Sequence, residues 1–113
     1  MKLVLAYVQP HKLDDVTLAL EGIEHFPGMS VTEVGGFGRD RAELLPRSRE
    51  QELEDFSDKV RLETVLHDAQ VEGAITAIAR AAHTGRYGDG MIFVLPVERA
   101  VRIMTLHEGE QEL

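Results

Sequence analysis

The feature that most limits how this chain can fold is an order of elements, strand–helix–strand, that occurs twice. The first copy begins with an unbroken apolar run at residues 3–8, which is typical of a buried strand. Past Pro10, apolar side chains recur at helical spacing, at Leu13, Val16, Leu20 and Ile23. Residues 30–38 then predict a second strand, which ends in glycines.

The second copy follows a long charged interval. Residues 60–66 alternate and predict a third strand, and a helix is predicted between an N-cap at Asp68 and a C-terminal cap at Gly85. Residues 91–95 predict a fourth strand, and residues 101–106 a fifth, short one. This order predicts an α+β, ferredoxin-like βαββαβ sandwich, with two helices on one face of a four-stranded antiparallel sheet.

Two helices cover only one face of such a sheet, so the other face has to be polar or buried against something else. The strand at residues 3–8 is apolar at every position, which gives it no polar face. We therefore expect other subunits to cover the open face, and an oligomer follows from that expectation.

The interval between the two copies is unusually charged. Fourteen of the 25 residues from Arg39 to Glu63 are charged, six of them basic and eight acidic. We interpret residues 39–58 as a long solvated excursion, and a loop of this length in a small domain is usually functional or disordered.

Length and charge narrow the classes of protein. The 113 residues fit a single domain, 1–113, whose short C-terminal tail at residues 107–113 is expected to fray. No apolar run approaches the roughly 20 residues that span a bilayer, and no signal peptide is expected. The absence of cysteine excludes disulfides and thiolate chemistry and is compatible with a cytoplasmic protein. A net charge of −8 disfavours binding to nucleic acid or to an anionic membrane.

Two glycine-rich segments, residues 35–39 and 84–90, are the candidate sites for an anion. Glycine turns let backbone N–H groups surround an anion, and nearby arginines such as Arg99 and Arg102 suit phosphate. Neither segment has the Walker A pattern or the dinucleotide-binding fingerprint, and taken alone each also fits an ordinary tight turn.

The joint order of several motifs resembles the PII signal-transduction family, in a divergent form. The resemblance rests on residues 10–16 (PHKLDDV), 28–34 (GMSVTEV), 36–39 (GFGR), 81–94 (AAHTGRYGDGMIFV), 96–98 (PVE) and 101–103 (VRI). These motifs cover almost the whole chain, and the interval from Phe37 to Lys59 matches the family's T-loop.

The resemblance implies a homotrimer that binds an adenine nucleotide (ATP, ADP or AMP) in clefts between subunits. It implies a regulated protein target, such as a transporter or an enzyme, that is met through the T-loop, and contact with a membrane only through that target. The mechanism would be a shift of conformational populations by the ligand, which needs no catalytic group. We therefore expect a regulator that is not an enzyme.

The resemblance also assigns a nucleotide site. Amides of the glycine loop, residues 84–90, would cradle phosphate, Arg102 would supply a cation, and Glu63 would face the cleft. The residues expected to bind nucleotide are Tyr7, Ser30, Gly36, Phe37, Gly38, Arg39, Glu63, Val65, Thr84, Gly85, Arg86, Gly88, Asp89, Gly90 and Arg102. The residues expected to form the partner-binding loop are Arg41, Arg47, Arg49 and Glu52.

Several positions depart from the family pattern. Met91 and Met104 stand where the family has basic residues, and another arginine is missing from the ending at residues 106–109. Each lost cation removes a charge-assisted contact of roughly 1.5–3 kcal/mol, which weakens ATP binding more than ADP or AMP binding. Asp40 replaces a glutamine, so Mg²⁺ binding is possible, whereas 2-oxoglutarate binding at Asp40 and Lys59 is expected to be weak or absent.

Two alternatives stay open. In one, the chain is a metal-linked PII-like protein that acts with a heavy-metal efflux transporter, although no histidine pair on one helix indicates a metal site. In the other, the fold carries a slow ATPase, although no activated nucleophile or base is evident.

Overall fold

The chain's computed structural model describes residues 1–37 and 57–113. Its strands are β1 (Lys2–Val8), β2 (Ser30–Gly36), β3 (Ser57–Leu66) and β4 (Gly90–Pro96). Its α-helices are α1 (Leu13–Glu21) and α2 (Asp68–Ala82), and short 3-10 turns lie at Pro10–Lys12 and Glu110–Glu112. The predicted ferredoxin-like order is confirmed.

The four strands form one antiparallel sheet in the order β2-β3-β1-β4. Register is fixed along β1, where Tyr7 lies opposite Arg61 on β3 and Met91 on β4. Because side chains alternate between faces, residues opposite one another share a face.

The core lies between the sheet and the two helices. Alternate residues of β1 and β3 are buried there, and α1 and α2 bury one apolar side each. The buried core residues are Val4, Ala6, Val8, Val16, Leu20, Val60, Leu62, Leu66, Val71, Ala74, Ile78 and Ala82.

The opposite face of the sheet is apolar around β1 and β4. Leu3, Leu5 and Tyr7 point to this open face and are only half-buried in the single chain. Their β4 neighbours Met91, Phe93 and Leu95 are exposed. The open face therefore presents the surface that the sequence predicted would be covered by other subunits, and the trimer stays a prediction.

The structure corrects several element boundaries. β3 begins at Ser57, so the last two residues of the charged excursion predicted at residues 39–58 belong to a strand, whereas β2 ends at Gly36. Helix α2 ends at Ala82, and its N-cap is His67, whose N–H donates to Gln70 Oε1 at 3.0 Å. The capping role predicted for Asp68 was wrong.

The fifth strand predicted at residues 101–106 was also wrong. Val101 makes a single bridge to Glu108, residues 103–105 form a turn, and Leu106 has a left-handed φ of 62°. The tail, which was expected to fray, forms a 3-10 turn at Glu110–Glu112 and makes ion pairs with the rest of the chain.

Within residues 1–37 and 57–113, no helix is both long enough and apolar enough to cross a membrane.

Candidate functional site

The glycine loop between α2 and β4 is organised around one carboxylate. Asp89 accepts hydrogen bonds from the N–H groups of Thr84, at 2.8 Å, and Gly85, at 2.9 Å, and also from the Thr84 hydroxyl. The Thr84 hydroxyl, followed by the two backbone donors and nearby His83, lowers the pKa of Asp89 to about 2. Asp89 therefore carries a full negative charge at neutral pH and closes the loop on itself.

This closure reduces the number of backbone N–H groups that the loop has left to donate to an anion. The amides of Thr84 and Gly85 already donate to Asp89, and the amide of Arg86 donates to Thr84 Oγ1 at 3.2 Å. These three amides are therefore hydrogen-bonded within the loop, and phosphate binding by residues 84–90 stays a prediction.

The end of the glycine loop is tied to the strands beside it. The Gly88 carbonyl accepts a hydrogen bond from Gln9 Nε2 at 2.7 Å and another from the Lys59 ammonium. Gln9 follows β1 and Lys59 lies near the start of β3, so this carbonyl joins three segments. Lys59 was predicted to contact 2-oxoglutarate, and Gln9 was not predicted to contact the glycine loop. Its position as a polar residue directly after a buried strand could have indicated such a contact.

Two glycines of the loop are required by their surroundings. Gly90 has φ 115°, and a Cβ there would lie 1.8 Å from the Tyr7 carbonyl oxygen. Gly88 has φ 89°, and a Cβ there would lie 3.2 Å from Gln9 Nε2 and 3.3 Å from Lys59 Nζ. Both positions favour glycine because their φ angles are positive. At Gly90 there is also no room for a Cβ beside the Tyr7 carbonyl oxygen.

The first part of the predicted site lies in a groove of about 790 Å³ where the glycine loop meets the ends of β2 and β3. We call this the loop groove. It contains five of the predicted nucleotide residues, Tyr7, Gly36, Phe37, Gly88 and Gly90, and also Lys59, which was predicted for 2-oxoglutarate. Its lining residues are Tyr7, Val34, Gly35, Gly36, Phe37, Ser57, Lys59, Gly88, Gly90, Met91 and Phe93.

A second part lies in a separate groove of about 570 Å³, which we call the tail groove. It contains the predicted residues Ser30, Glu63, Val65 and Arg102. Its lining residues are Leu3, Pro27, Gly28, Met29, Ser30, Glu63, Thr64, Val65, Arg102, Glu112 and Leu113. Buried Thr64 anchors its edge, because Thr64 Oγ1 donates to the Gly28 carbonyl at 2.7 Å.

The two grooves lie at different ends of the sheet. On β1, Leu3 borders the tail groove and Tyr7 borders the loop groove, four residues away. At about 3.4 Å per residue, this separation is about 14 Å along the strand. The single chain therefore divides the predicted nucleotide residues into two groups and does not bring them together.

Glu63 is paired on the sheet surface. Glu63 Oε1 lies 2.8 Å from Arg61 Nε, both side chains being partly exposed. The Arg61 N–H does not point at this oxygen, so Arg61 Nε makes no hydrogen bond to the described residues although it is buried. The contact is an ion pair without hydrogen-bond geometry, and it places a positive charge next to Glu63.

The remaining predicted residues lie elsewhere. Thr84, Gly85, Arg86 and Asp89 form the outer part of the glycine loop and line neither groove. The predictions for Gly38, Arg39, Asp40, Arg41, Arg47, Arg49 and Glu52 lie outside the described residues.

The described parts of the chain contain no group of three or more histidine, aspartate or glutamate side chains placed to hold a metal ion. No observation on the described residues supports the metal-linked alternative.

Comparisons with known proteins identify the family. Residues 1–107 match the family model described as Nitrogen regulatory protein P-II. Relatives of that name include those of Azospirillum brasilense, 47% identical over 96% of each chain, and Pasteurella multocida, 43% identical over 100% of each chain. The protein from Cereibacter sphaeroides is 45% identical over 97% of each chain. The chain belongs to the nitrogen regulatory protein P-II family.

Proposed function

We propose that this chain is a regulatory subunit that binds an adenine nucleotide where the loop groove of one subunit meets the tail groove of the next. Nucleotide binding would then change how residues 39–58 contact a protein target. The observation that carries this proposal is the division of the predicted nucleotide residues between two grooves of one chain.

A ring of identical subunits is the arrangement that unites the two grooves. When one surface of a subunit meets a different surface of the next, the contacts close into a ring, and every seam joins the same two surfaces. The exposed Met91, Phe93 and Leu95 on the open face supply apolar surface for such an assembly. A homotrimer of this kind would hold three equivalent nucleotide clefts.

The chemistry of the two grooves suits adenine and a short phosphate chain. Tyr7 and Phe37 give the loop groove apolar walls, and the amides after Arg86 and the Arg102 guanidinium supply donors for phosphate. Met91 and Met104 add no cation, which favours ADP or AMP over ATP. Mg²⁺ and weak 2-oxoglutarate binding stay predictions, because both depend on Asp40.

Signalling would use the link between Lys59 and Gly88. Lys59 lies two residues after the start of β3, where the chain returns from residues 38–56, and its ammonium donates to the glycine loop. A ligand that contacts the glycine loop would therefore also bias the base of the partner-binding loop. We infer a non-enzymatic regulator in the cytoplasm, where adenine nucleotides are abundant, with a transporter or an enzyme as its target.

Calorimetric titration with ATP, ADP, AMP and cyclic AMP tests this proposal. We expect Arg102→Ala and Gly88→Leu each to lower nucleotide affinity at least about tenfold, because each removes a phosphate contact or fills the loop groove. Arg80→Ala, an exposed position on α2, is the matched control and should bind like the unmodified protein. Equal affinity in all three variants would contradict the proposed site.

A further inference from the structure

Arg102 is already engaged by the chain's own C-terminus. Its Nε lies 3.2 Å from Glu112 Oε2, and its guanidinium also donates to the Glu112 backbone carbonyl. The Arg102 N–H donates to the His107 carbonyl at 2.9 Å, which fixes the backbone on the same side. The cation proposed for phosphate therefore has a carboxylate partner within its own subunit.

Other contacts hold the tail, residues 107–113, in this position. Glu108 pairs with Arg99, with 2.5 Å between Oε1 and Nε, and Glu110 pairs with the Met1 ammonium at 2.8 Å. Hydrogen bonds to Glu110 and then to Asp68 raise the pKa of the Met1 ammonium. The three glutamates of the tail thus each contact a different cation, and together they strap the tail to the body of the subunit.

The tail crosses the proposed ligand site. Glu112 and Leu113 line the tail groove together with Ser30, Val65 and Arg102, and the Glu112 side chain is only 16% exposed. A phosphate that approaches Arg102 would meet the Glu112 carboxylate at the same guanidinium. Two anions at the same guanidinium repel each other, so the Glu112 contact and phosphate binding oppose one another.

We infer that Glu112 is an internal competitor for Arg102 that inhibits the nucleotide site and selects against highly charged ligands. This inference rests on the proposed nucleotide function and adds a regulatory residue to it.

The effect should be modest and sensitive to salt. The Arg102–Glu112 pair is partly exposed, and exposed ion pairs change an equilibrium by about two- to fivefold. Removing the Glu112 charge also removes its repulsion of phosphate, which increases the gain in affinity for ATP. Adenosine has no phosphate, so its affinity should hardly change. The discrimination should shrink as ionic strength rises, because both contributions are electrostatic.

The test is calorimetric titration of the full-length protein with ATP, AMP and adenosine at low and high salt. We expect Glu112→Gln to bind ATP about three- to tenfold more tightly than the unmodified protein, to improve AMP less, and to leave adenosine unchanged. Glu72→Gln, an exposed acid on α2, is the charge-matched control and should change none of the three affinities.

A second readout follows the tail itself. The N–H groups of Gly109, Glu112 and Leu113 donate to backbone carbonyls, so their hydrogen exchange reports whether the tail stays in place. We expect saturating ATP to speed this exchange in the unmodified protein.

The outcomes separate the two proposals. If the unmodified protein binds ATP and Glu112→Gln neither tightens that binding nor alters its salt dependence, the competitor role is refuted and the nucleotide site stands. If neither protein binds any of the three ligands, both proposals are refuted.

Discussion

The backbone of Gly90 lies so close to Tyr7 that a Cβ at Gly90 would be 1.8 Å from the Tyr7 carbonyl oxygen. Gly90 begins β4 and Tyr7 lies near the end of β1, so the contact sets the glycine loop against the sheet. Both residues line the loop groove. The shape of that groove therefore depends on a position that tolerates only a hydrogen atom.

Gly90→Ala should destabilise the protein by more than about 2 kcal/mol, because the methyl group has to displace backbone atoms at an unfavourable φ of 115°. Urea denaturation followed by circular dichroism measures the change. Gly73→Ala is the control. This position lies in α2 with nothing within 4 Å of the added Cβ, and alanine there should stabilise by up to about 1 kcal/mol. Equal unfolding midpoints for the two variants would contradict the close contact.

Thr64→Val should lower the free energy of unfolding by about 1–3 kcal/mol, because it leaves the Gly28 carbonyl without the hydroxyl that now bonds to it at 2.7 Å. Thr64 is buried at 3% exposure but Gly28 is exposed, so water can reach the carbonyl and the loss should lie near the lower end of this range. Thr17→Val removes a hydroxyl bond at the more exposed α1 and should cost less. An equal loss at both positions in chemical denaturation would argue against a special role for Thr64.

Asp89→Asn should loosen the glycine loop at neutral pH but not in strong acid. Because the folded-state pKa of Asp89 is lowered from 3.8 to about 2, its contribution is complete well above pH 4 and is lost as the pH falls towards 2. Amide exchange at Thr84 and Gly85, measured by NMR as protection relative to the unfolded chain, follows this change.

The unmodified protein should show greater protection of these two amides than Asp89→Asn at pH 6, and the difference should shrink as the pH falls through 2. A difference that is independent of pH would mean that the charge of Asp89 does not organise the loop. The Asp14→Asn variant, on the first turn of α1, should leave both amides unchanged at every pH.

Much of the fold follows from patterns that act over a few residues. The helical spacing from Val71 to Ala82 reflects burial against one core, and the structure places that face there. The apolar run at residues 3–8 does so only in part, because Val4, Ala6 and Val8 enter the core while the alternate residues face the open side of the sheet. The start of β3 was hidden because Ser57, Asp58 and Lys59 are polar, although the backbone of β2 pairs with them regardless of side-chain polarity. Sequence periodicity reports burial and misses a strand end that extends past the core.

The C-terminal region shows a different limit. Residues 101–106 have strand-like composition, but the left-handed backbone at Leu106 and the bridge from Val101 to Glu108 turn the chain back on itself. The tail was expected to fray because it is short and acidic. It is held by cations at Met1, Arg99 and Arg102, which are distant from it in sequence or lie across a turn, so no local pattern indicated the contacts.

The sequence proposes the candidate site as a set of residues, and the structure adds where those residues lie on a single chain. The resemblance placed Tyr7, Gly88 and Arg102 in one nucleotide site, whereas the fold of a single chain puts the first two in the loop groove and the third in the tail groove. The distance between the two grooves becomes visible only from the register of the sheet. The commitment of the Thr84 and Gly85 amides to Asp89 likewise depends on loop geometry.

The central claim is that each nucleotide site joins two subunits, and a mixing experiment tests it directly. Gly88→Leu fills the loop groove, and Arg102→Ala removes the cation of the tail groove. Neither variant alone should therefore bind nucleotide with normal affinity. In a ring assembled from both variants, however, one seam joins an intact loop groove to an intact tail groove.

The two variants are unfolded together, refolded as a mixture and titrated with ADP by calorimetry, with each variant refolded alone as the control. We expect the mixture to recover sites of normal affinity, at one per mixed ring, which neither parent shows. A mixture that binds no more ADP than its parents, although mass spectrometry shows mixed assemblies, would contradict a shared site.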